Sequence, residues 1–230
     1  MAKSTKTNPL KVVPSQQPAV IQTEEASYFL DYGRAATGSS IIGMLLKFNK
    51  GDWVAGQDNE ELEDGTTLIA NMDSLTVGWQ RWEDGRPAEQ VMGQLVKGFV
   101  PPRRNELSFN DPNEWERDES NGKPRDPWVY THQMVMKEPG KKGQLYTFTS
   151  SSGGGKTAIG KLSTAYGDGI RGEHAGEYPI VELSKGSYLH RDPSLGRIKV
   201  PELPVVGWAD RSEFDEVVEA VTPSSRKKIK

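Results

Sequence analysis

The amino-acid sequence predicts a mainly β fold, and three observations carry that expectation. Short apolar or alternating runs recur from Ile41 onward, Gly, Asp and Asn separate them, and two pairs of them flank turn-forming segments as hairpins do. An OB-like Greek-key barrel with an inserted short helix and long loops suits this pattern, because such barrels commonly carry one helix among their strands. A β-sandwich is the alternative, since pattern alone does not order strands.

The elements follow in chain order. Residues 1–40 are rich in Ser, Thr, Pro and Gln and have no sustained apolar period, so they read as a mostly disordered N-terminal segment with a short ordered piece around Tyr28-Phe29-Leu30. The mainly β domain spans 41–210. In it IIGMLLKF, DWVA, TTLIANM and LTVGWQRW read as strands, and Asp84-Gly85 turns the last of these back into VMGQLV. Residues 99–127 hold five prolines and many charges without apolar period, the signature of a long loop that is either functional or disordered. WVYTHQMVM and LYTFT alternate on either side of Pro139–Gly143 and make the strongest hairpin.

A helix is expected over 156–166, with Ile159, Leu162, Ala165 and Tyr166 at helical spacing and Gly167 placed to end it. YPIVEL and the segment 197–208 read as strands, and Pro201 and Pro204 confine the second to an edge or a bulge. Ser212 can cap a last short helix, 211–221, with Phe214, Val217, Val218 and Val221 on one face. Residues 222–230 form a basic tail.

Composition narrows the function. Hydrophobic residues at 34% and charged residues at 27% fit a globular chain, and the absence of cysteine excludes disulfides, a thiol nucleophile and thiolate metal sites. Three scattered histidines offer little to a metal centre, so neither metal nor cofactor is expected. The apolar run Ile41–Leu46 is far shorter than the roughly 20 residues that span a bilayer. No signal peptide is evident, and a cytoplasmic protein without membrane contact is expected. The net charge of −3 hides an asymmetry: Lys3, Lys6 and Lys11 at one end, and Arg226, Lys227, Lys228 and Lys230 at the other, stand in stretches without acids, so the body between is acidic. Basic arms of this kind gain affinity for nucleic acid by releasing counterions, although such tails also serve solubility alone.

One motif stands out. Ser150-Ser151-Ser152-Gly153-Gly154-Gly155-Lys156-Thr157 lies between an expected strand and an expected helix. It resembles the phosphate loop of P-loop nucleotide hydrolases, G-x-x-x-x-G-K-[ST], with Ser150 in place of the first glycine. The resemblance would give Gly155, Lys156 and Thr157 the phosphate and magnesium roles of that family. The preceding strand alternates instead of being continuously apolar, and too little chain follows for several βα units. Gly154, Gly155 and Lys156 retain a simpler use, as amides and a cation for one backbone phosphate. Against this stands a solvated loop.

Aromatic residues on strand faces stack single-stranded bases while Lys and Arg track the phosphates. Trp79 with Arg81 on one strand, and Tyr130 and Lys137 opposite Tyr146 and Phe148 on the hairpin, are the candidates, each weighed against ordinary core packing. The tail cations Arg226, Lys227 and Lys228 complete the set. No catalytic triad or carboxylate pair emerges, so the sequence reads as a binding protein before an enzyme.

The blocks ANMDSLTVGWQRWEDG, FVPPRRNEL, YTFTSSSGGGKTAIGKL and GRIKVPELPVVGW resemble uncharacterised proteins encoded in bacteriophages and in prophage regions of bacterial genomes, from about Gly43 to Trp208. The resemblance implies a phage context, the host-cell cytoplasm and no particular activity. The expectation is a single-stranded DNA-binding protein of phage replication or recombination, with proteins of those processes as partners. A protein-binding or virion structural component is the first alternative, and a P-loop-like nucleotide-binding enzyme the second. The basic end SSRKKIK departs from the acidic tail of replicative single-strand binding proteins and points to an accessory role.

Overall fold

The run with the longest alternation, Trp128–Lys137, becomes the strand on which most of the others assemble. The structure, a computed structural model, describes residues 41–214 except 84, 85, 120, 121, 141 and 142. Its first half contains β1 (Met44–Asn49), β2 (Asp52–Ala55), β3 (Glu60–Glu61), β4 (Thr67–Ala70), β5 (Thr76–Glu83) and β6 (Arg86–Gln94). Then come β7 (Trp128–Lys137), β8 (Leu145–Ser150), the helix α1 (Gly153–Arg171), β9 (Glu177–Glu182), β10 (Ser184–Leu189), β11 (Arg197–Glu202) and β12 (Val205–Asp210).

The chain is mainly β, with a curled half-barrel sheet. The order β12-β9-β4-β7-β8-β1-β2-β3 runs across it, and the β5–β6 hairpin joins through β7. All pairings in this sheet are antiparallel except β1 with β8, where Leu46 lies beside Phe148. With ten strands it exceeds the five of a minimal OB barrel. Strands β10 and β11 pair only with each other, as a two-stranded ribbon.

β7 takes two partners along one edge. Its first half pairs with β5, from Arg81 opposite Trp128 to Thr76 opposite Gln133, and its end pairs with β4 through Ala70 opposite Met136. Between them the 3-10 turn Met72–Ser74 interrupts the ladder. The Ser74 hydroxyl fills the gap: it accepts the Val135 amide at 2.9 Å and donates to the Asn71 carbonyl at 2.6 Å.

The core is one cluster in which Leu46, Trp53, Leu68, Met134, Met136 and Phe148 meet Ala158, Ile159 and Leu162 of α1. Burial of each large side chain contributes about 1.5–3 kcal/mol. Trp53 sits between Phe48 and Phe148, with ring centroids 5.3 and 5.2 Å away.

Several sequence expectations change in detail. The helix is longer than 156–166: it starts at Gly153, capped by Ser152, and passes Gly167 to end at Arg171. Tertiary packing outweighs the breaker, since Tyr166 near its C-terminal part stacks on Trp208 at 6.4 Å. The segment 197–208 is two strands, β11 and β12, separated at Leu203-Pro204. β11 lies in the ribbon and β12 on the sheet edge, as the prolines require. The strands flanking Asp84-Gly85 pair as a hairpin, Glu83 opposite Arg86. The long loop is ordered around Arg104, whose guanidinium binds both Asp126 oxygens, the Asn110 side chain and the Phe109 carbonyl. Internal charge pairing thus accounts for Arg104. The expectations for residues 1–40, for 222–230 and for most of the 211–221 helix lie outside the described residues. Of that helix, Ser212–Phe214 are helical.

The glycines of α1 separate packing need from tolerance. A Cβ at Gly155 would lie 1.8 Å from the Ser150 hydroxyl, whereas one at Gly160 would meet nothing within 4 Å. Gly155→Ala is expected to destabilise the fold by about 1–3 kcal/mol, and Gly160→Ala to stabilise it by roughly 0.5–1 kcal/mol. Urea denaturation of the two variants checks this, and equal losses at both sites would contradict it.

Candidate nucleic-acid interface

The start of α1 and the β10–β11 ribbon face each other across a cleft of about 1090 Å³. Ser152 is extended, and its hydroxyl accepts the Gly155 amide at 3.0 Å, while its carbonyl accepts the amide of Lys156. The amides of Gly153 and Gly154 have no acceptor among the described residues. Gly154 is a glycine for a packing reason: a Cβ there would lie 2.9 Å from Val200 of β11.

The opposite wall is held by contacts at the base of the ribbon. The Trp53 indole donates to the Ser184 carbonyl at 2.9 Å, and Lys185 bridges Asp52 at 2.9 Å and Asp64 at 2.7 Å. The bond to Asp64, with that to Asp52, raises the Lys185 pKa, and the Lys185 bond in turn lowers that of Asp52. The third wall is the β1–β2 hairpin turn, where Lys50 and Gly51 both have positive φ, at 52° and 101°. The Lys199 stem lies against Gly51, so the turn and the ribbon touch.

The cleft is cationic although the chain is acidic. Lys50, Lys161, Arg197 and Lys199 line it, against Glu202 as its one carboxylate. All four cations are exposed, and among the described residues none has a carboxylate within ion-pair distance. Elsewhere the strongly bonded cations are committed to the fold: Arg81 to Glu83 and Glu89, Arg104 to Asp126, Arg211 to Asp73. The cleft floor is apolar, with Ile198, Val200 and Leu203 from the ribbon side and Ala158 and Leu162 from the helix.

The residues singled out from sequence divide sharply. Lys137, Tyr146 and Phe148 are buried, and for these the expected nucleic-acid contact is corrected. The Lys137 ammonium donates to the Glu213 carbonyl, Tyr146 donates to Glu138 at 2.9 Å, and Phe148 packs on Trp53. Burial, reinforced by the Glu138 bond, pushes the Tyr146 hydroxyl up to about 12. Both faces of the β7–β8 hairpin are covered, so alternation did not leave one face outward. Arg81 is spent on its two glutamates and lies over the Phe109 ring at 4.8 Å.

Trp79 and Tyr130 are half-buried and meet edge to face at 5.1 Å, and the Trp79 indole donates to the Pro102 carbonyl. Lys156 is exposed, with its ammonium 5.3 Å from the centre of the Tyr130 ring, and does not line the cleft. The glycines and the lysine of the loop therefore face different surroundings. The Thr157 hydroxyl donates back to the Gly153 carbonyl at 3.0 Å, a bond internal to the helix. Gly153 and Gly154 line the cleft, while Gly155 is buried against Ser150. Arg226, Lys227 and Lys228 lie outside the described residues. Sequence reasoning missed Lys50, Lys161, Arg197 and Lys199. The usable signal was the basic–apolar alternation of Arg197-Ile198-Lys199-Val200.

Among the described residues no group of acids and histidines could hold a metal ion, and no helix is long and apolar enough to cross a membrane. Compared with known families, curated proteins and solved structures, the chain matches no family model, no curated protein and no solved structure.

Beside this surface, His132 of β7 is buried, its ring 5.1 Å from that of Tyr130, and its Nδ1 has no hydrogen-bond partner. Burial lowers its pKa, the Lys156 charge adds to this, and a bond with the Ser150 backbone partly offsets both. The unfolded chain then takes up a proton below about pH 6.5 that the folded chain refuses. Stability is intact above that pH and falls as the pH drops through it. The thermal midpoint of the wild type is expected to fall between about pH 7 and 5.5, and that of His132→Gln to stay flatter over the same interval. Parallel curves would disprove the assignment.

Proposed function

We propose that this chain is a single-stranded nucleic acid-binding protein, acting in phage DNA replication or recombination, and that the cleft between α1 and the β10–β11 ribbon holds the strand. The observation that carries the reading is a set of four exposed cations with no carboxylate within ion-pair distance among the described residues, although Arg197 donates to Ser187 and the Lys199 charge helps lower the Asp52 pKa. Lys50, Lys161, Arg197 and Lys199 concentrate positive charge on an acidic body without ion-paired carboxylates. Exposed charges that repel one another cost stability, and an anion offsets that cost. The apolar floor suits the bases or sugars of an unpaired strand. The lining residues of α1 run from Gly153 to Ala165, about 18 Å at 1.5 Å per residue, room for a few phosphates.

A protein-partner role is favoured by a different observation. Leu95, Val96 and Val100 are exposed, Val100 by 82%, around the 3-10 turn that follows β6. The nucleotide-hydrolase reading draws less support, because Lys156 and the cleft glycines point to different surroundings and the Thr157 hydroxyl is already bonded.

Anisotropy of labelled oligo-dT against salt concentration tests the reading. Phosphate contacts by the four cleft cations give a log–log slope of about −2 to −3, at roughly −0.7 per contact on a single strand. Lys161→Ala is expected to make the slope shallower by about 0.7, and Lys156→Ala to leave it nearly unchanged. Failure of the wild type to bind at about 50 mM salt would overturn nucleic acid binding and leave the exposed apolar turn as the feature to explain.

A further inference from the structure

Many aromatics find ring partners inside the fold: Phe48 with Trp53, Trp79 with Tyr130, Tyr166 with Trp208 and Tyr178 with Phe214. Tyr188 does not. It lines the cleft from β10, is 50% exposed, and among the described residues has neither an aromatic partner nor a hydrogen bond to its hydroxyl. Its position is fixed by register. Tyr188 lies opposite Ile198, two residues from Val200, so the three share the ribbon face that Val200 brings against Gly154 of α1. The ring therefore stands beside Ile198 on the cleft side, whereas Arg197 and Lys199 alternate with Ile198 along β11 and share the other ribbon face with Ser187, to which Arg197 donates at 3.1 Å.

We infer that Tyr188 is the base-stacking residue of the cleft, and that the cleft recognises unpaired bases as well as phosphates. This rests on the proposed function. A phenol ring held at one edge by a β-ladder and open on the other side costs little entropy to order, because only its two side-chain torsions are to be fixed. Cations lining the cleft, among them Lys161 of α1 and Lys50 of the β1–β2 turn, place the phosphates, and the ring takes the base that an unpaired strand presents. A duplex keeps its bases stacked on each other and offers the ring only its backbone. The site consequently prefers single strands over duplex, and a strand with bases over one without.

The test compares three probes of equal length, oligo-dT, an abasic deoxyribose-phosphate oligomer and a duplex, on the wild-type chain, Tyr188→Ala and Tyr188→Phe. Wild type and Tyr188→Phe are expected to bind oligo-dT on the order of tenfold more tightly than the abasic oligomer, since stacking depends on the ring and not on the hydroxyl. Tyr188→Ala is expected to lose that preference while keeping its affinity for the abasic oligomer and its salt slope. An unchanged preference in Tyr188→Ala, or a tenfold loss in Tyr188→Phe, overturns the stacking role and leaves cleft binding standing. Wild type that binds none of the three probes overturns the proposed function itself.

Discussion

One hydroxyl keeps the large sheet continuous. β7 serves β5 and β4 in succession along one edge, and the change of partner falls where the Met72–Ser74 turn removes a backbone acceptor. Without the Ser74 side chain, the Val135 amide would be buried and unpaired, a cost of about 1–3 kcal/mol. More depends on it than that single bond. β4 leads to β9 and β12, and β5 leads to β6 and the Arg104 loop, so the two arms of the sheet meet at this point. Asp73 in the same turn accepts from Tyr178 and pairs with Arg211, which also donates to Tyr166 of α1. Burial first, and then the Asp73 charge, raises the Tyr178 pKa well above the ordinary phenol value, which keeps its hydroxyl a donor.

The same economy of polar groups separates structural charge from available charge. Lys185, Arg104 and Arg211 are each bonded to carboxylates that come from other elements. Each closes a contact between segments distant in sequence. The cations of the cleft have no such duty. Their placement follows from backbone features: a left-handed Lys50-Gly51 turn, a helix begun by glycines that let it approach β11, and a ribbon clamped at its base.

The strands were legible because β5, β7 and β8 carry alternating stretches in sequence, β9 is a short apolar run, and turn residues bound them, although burial along them does not follow a period of two. β10 was not legible: Ser-Lys-Gly-Ser-Tyr-Leu has little apolar alternation, since the ribbon buries few of its residues and holds together through its ladder to β11. The two-residue β3 carried no pattern at all. Among site residues, Tyr130 and Lys137 were grouped opposite Tyr146 and Phe148, whereas the register sets Lys137 opposite Leu145 and Tyr146 opposite Met136, and burial covers both faces, so Lys137, Tyr146 and Phe148 were wrongly assigned outward. The glycine-rich start of α1 was visible as a motif. Its partners Lys50, Lys161, Arg197 and Lys199 come from three separated stretches of chain, and only the fold brings them to one cleft.

The ribbon has a further consequence for how this protein can vary. Its contacts with the rest of the fold, Ser184 and Lys185 at the base and Lys199 and Val200 against Gly51 and Gly154, all lie outside the far end from Leu189 to Arg197, which is closed by its own bonds, His190 to Gly196 and Ser194 to Asp192. Lengthening that end would leave every anchor in place, and doubling a loop's length costs only about 0.6 kcal/mol in closure entropy. Insertions and exchanges there alter the reach and chemistry of one cleft wall at almost no expense to the core. The molecule thus has a segment in which sequence drift changes what is held without changing what holds it.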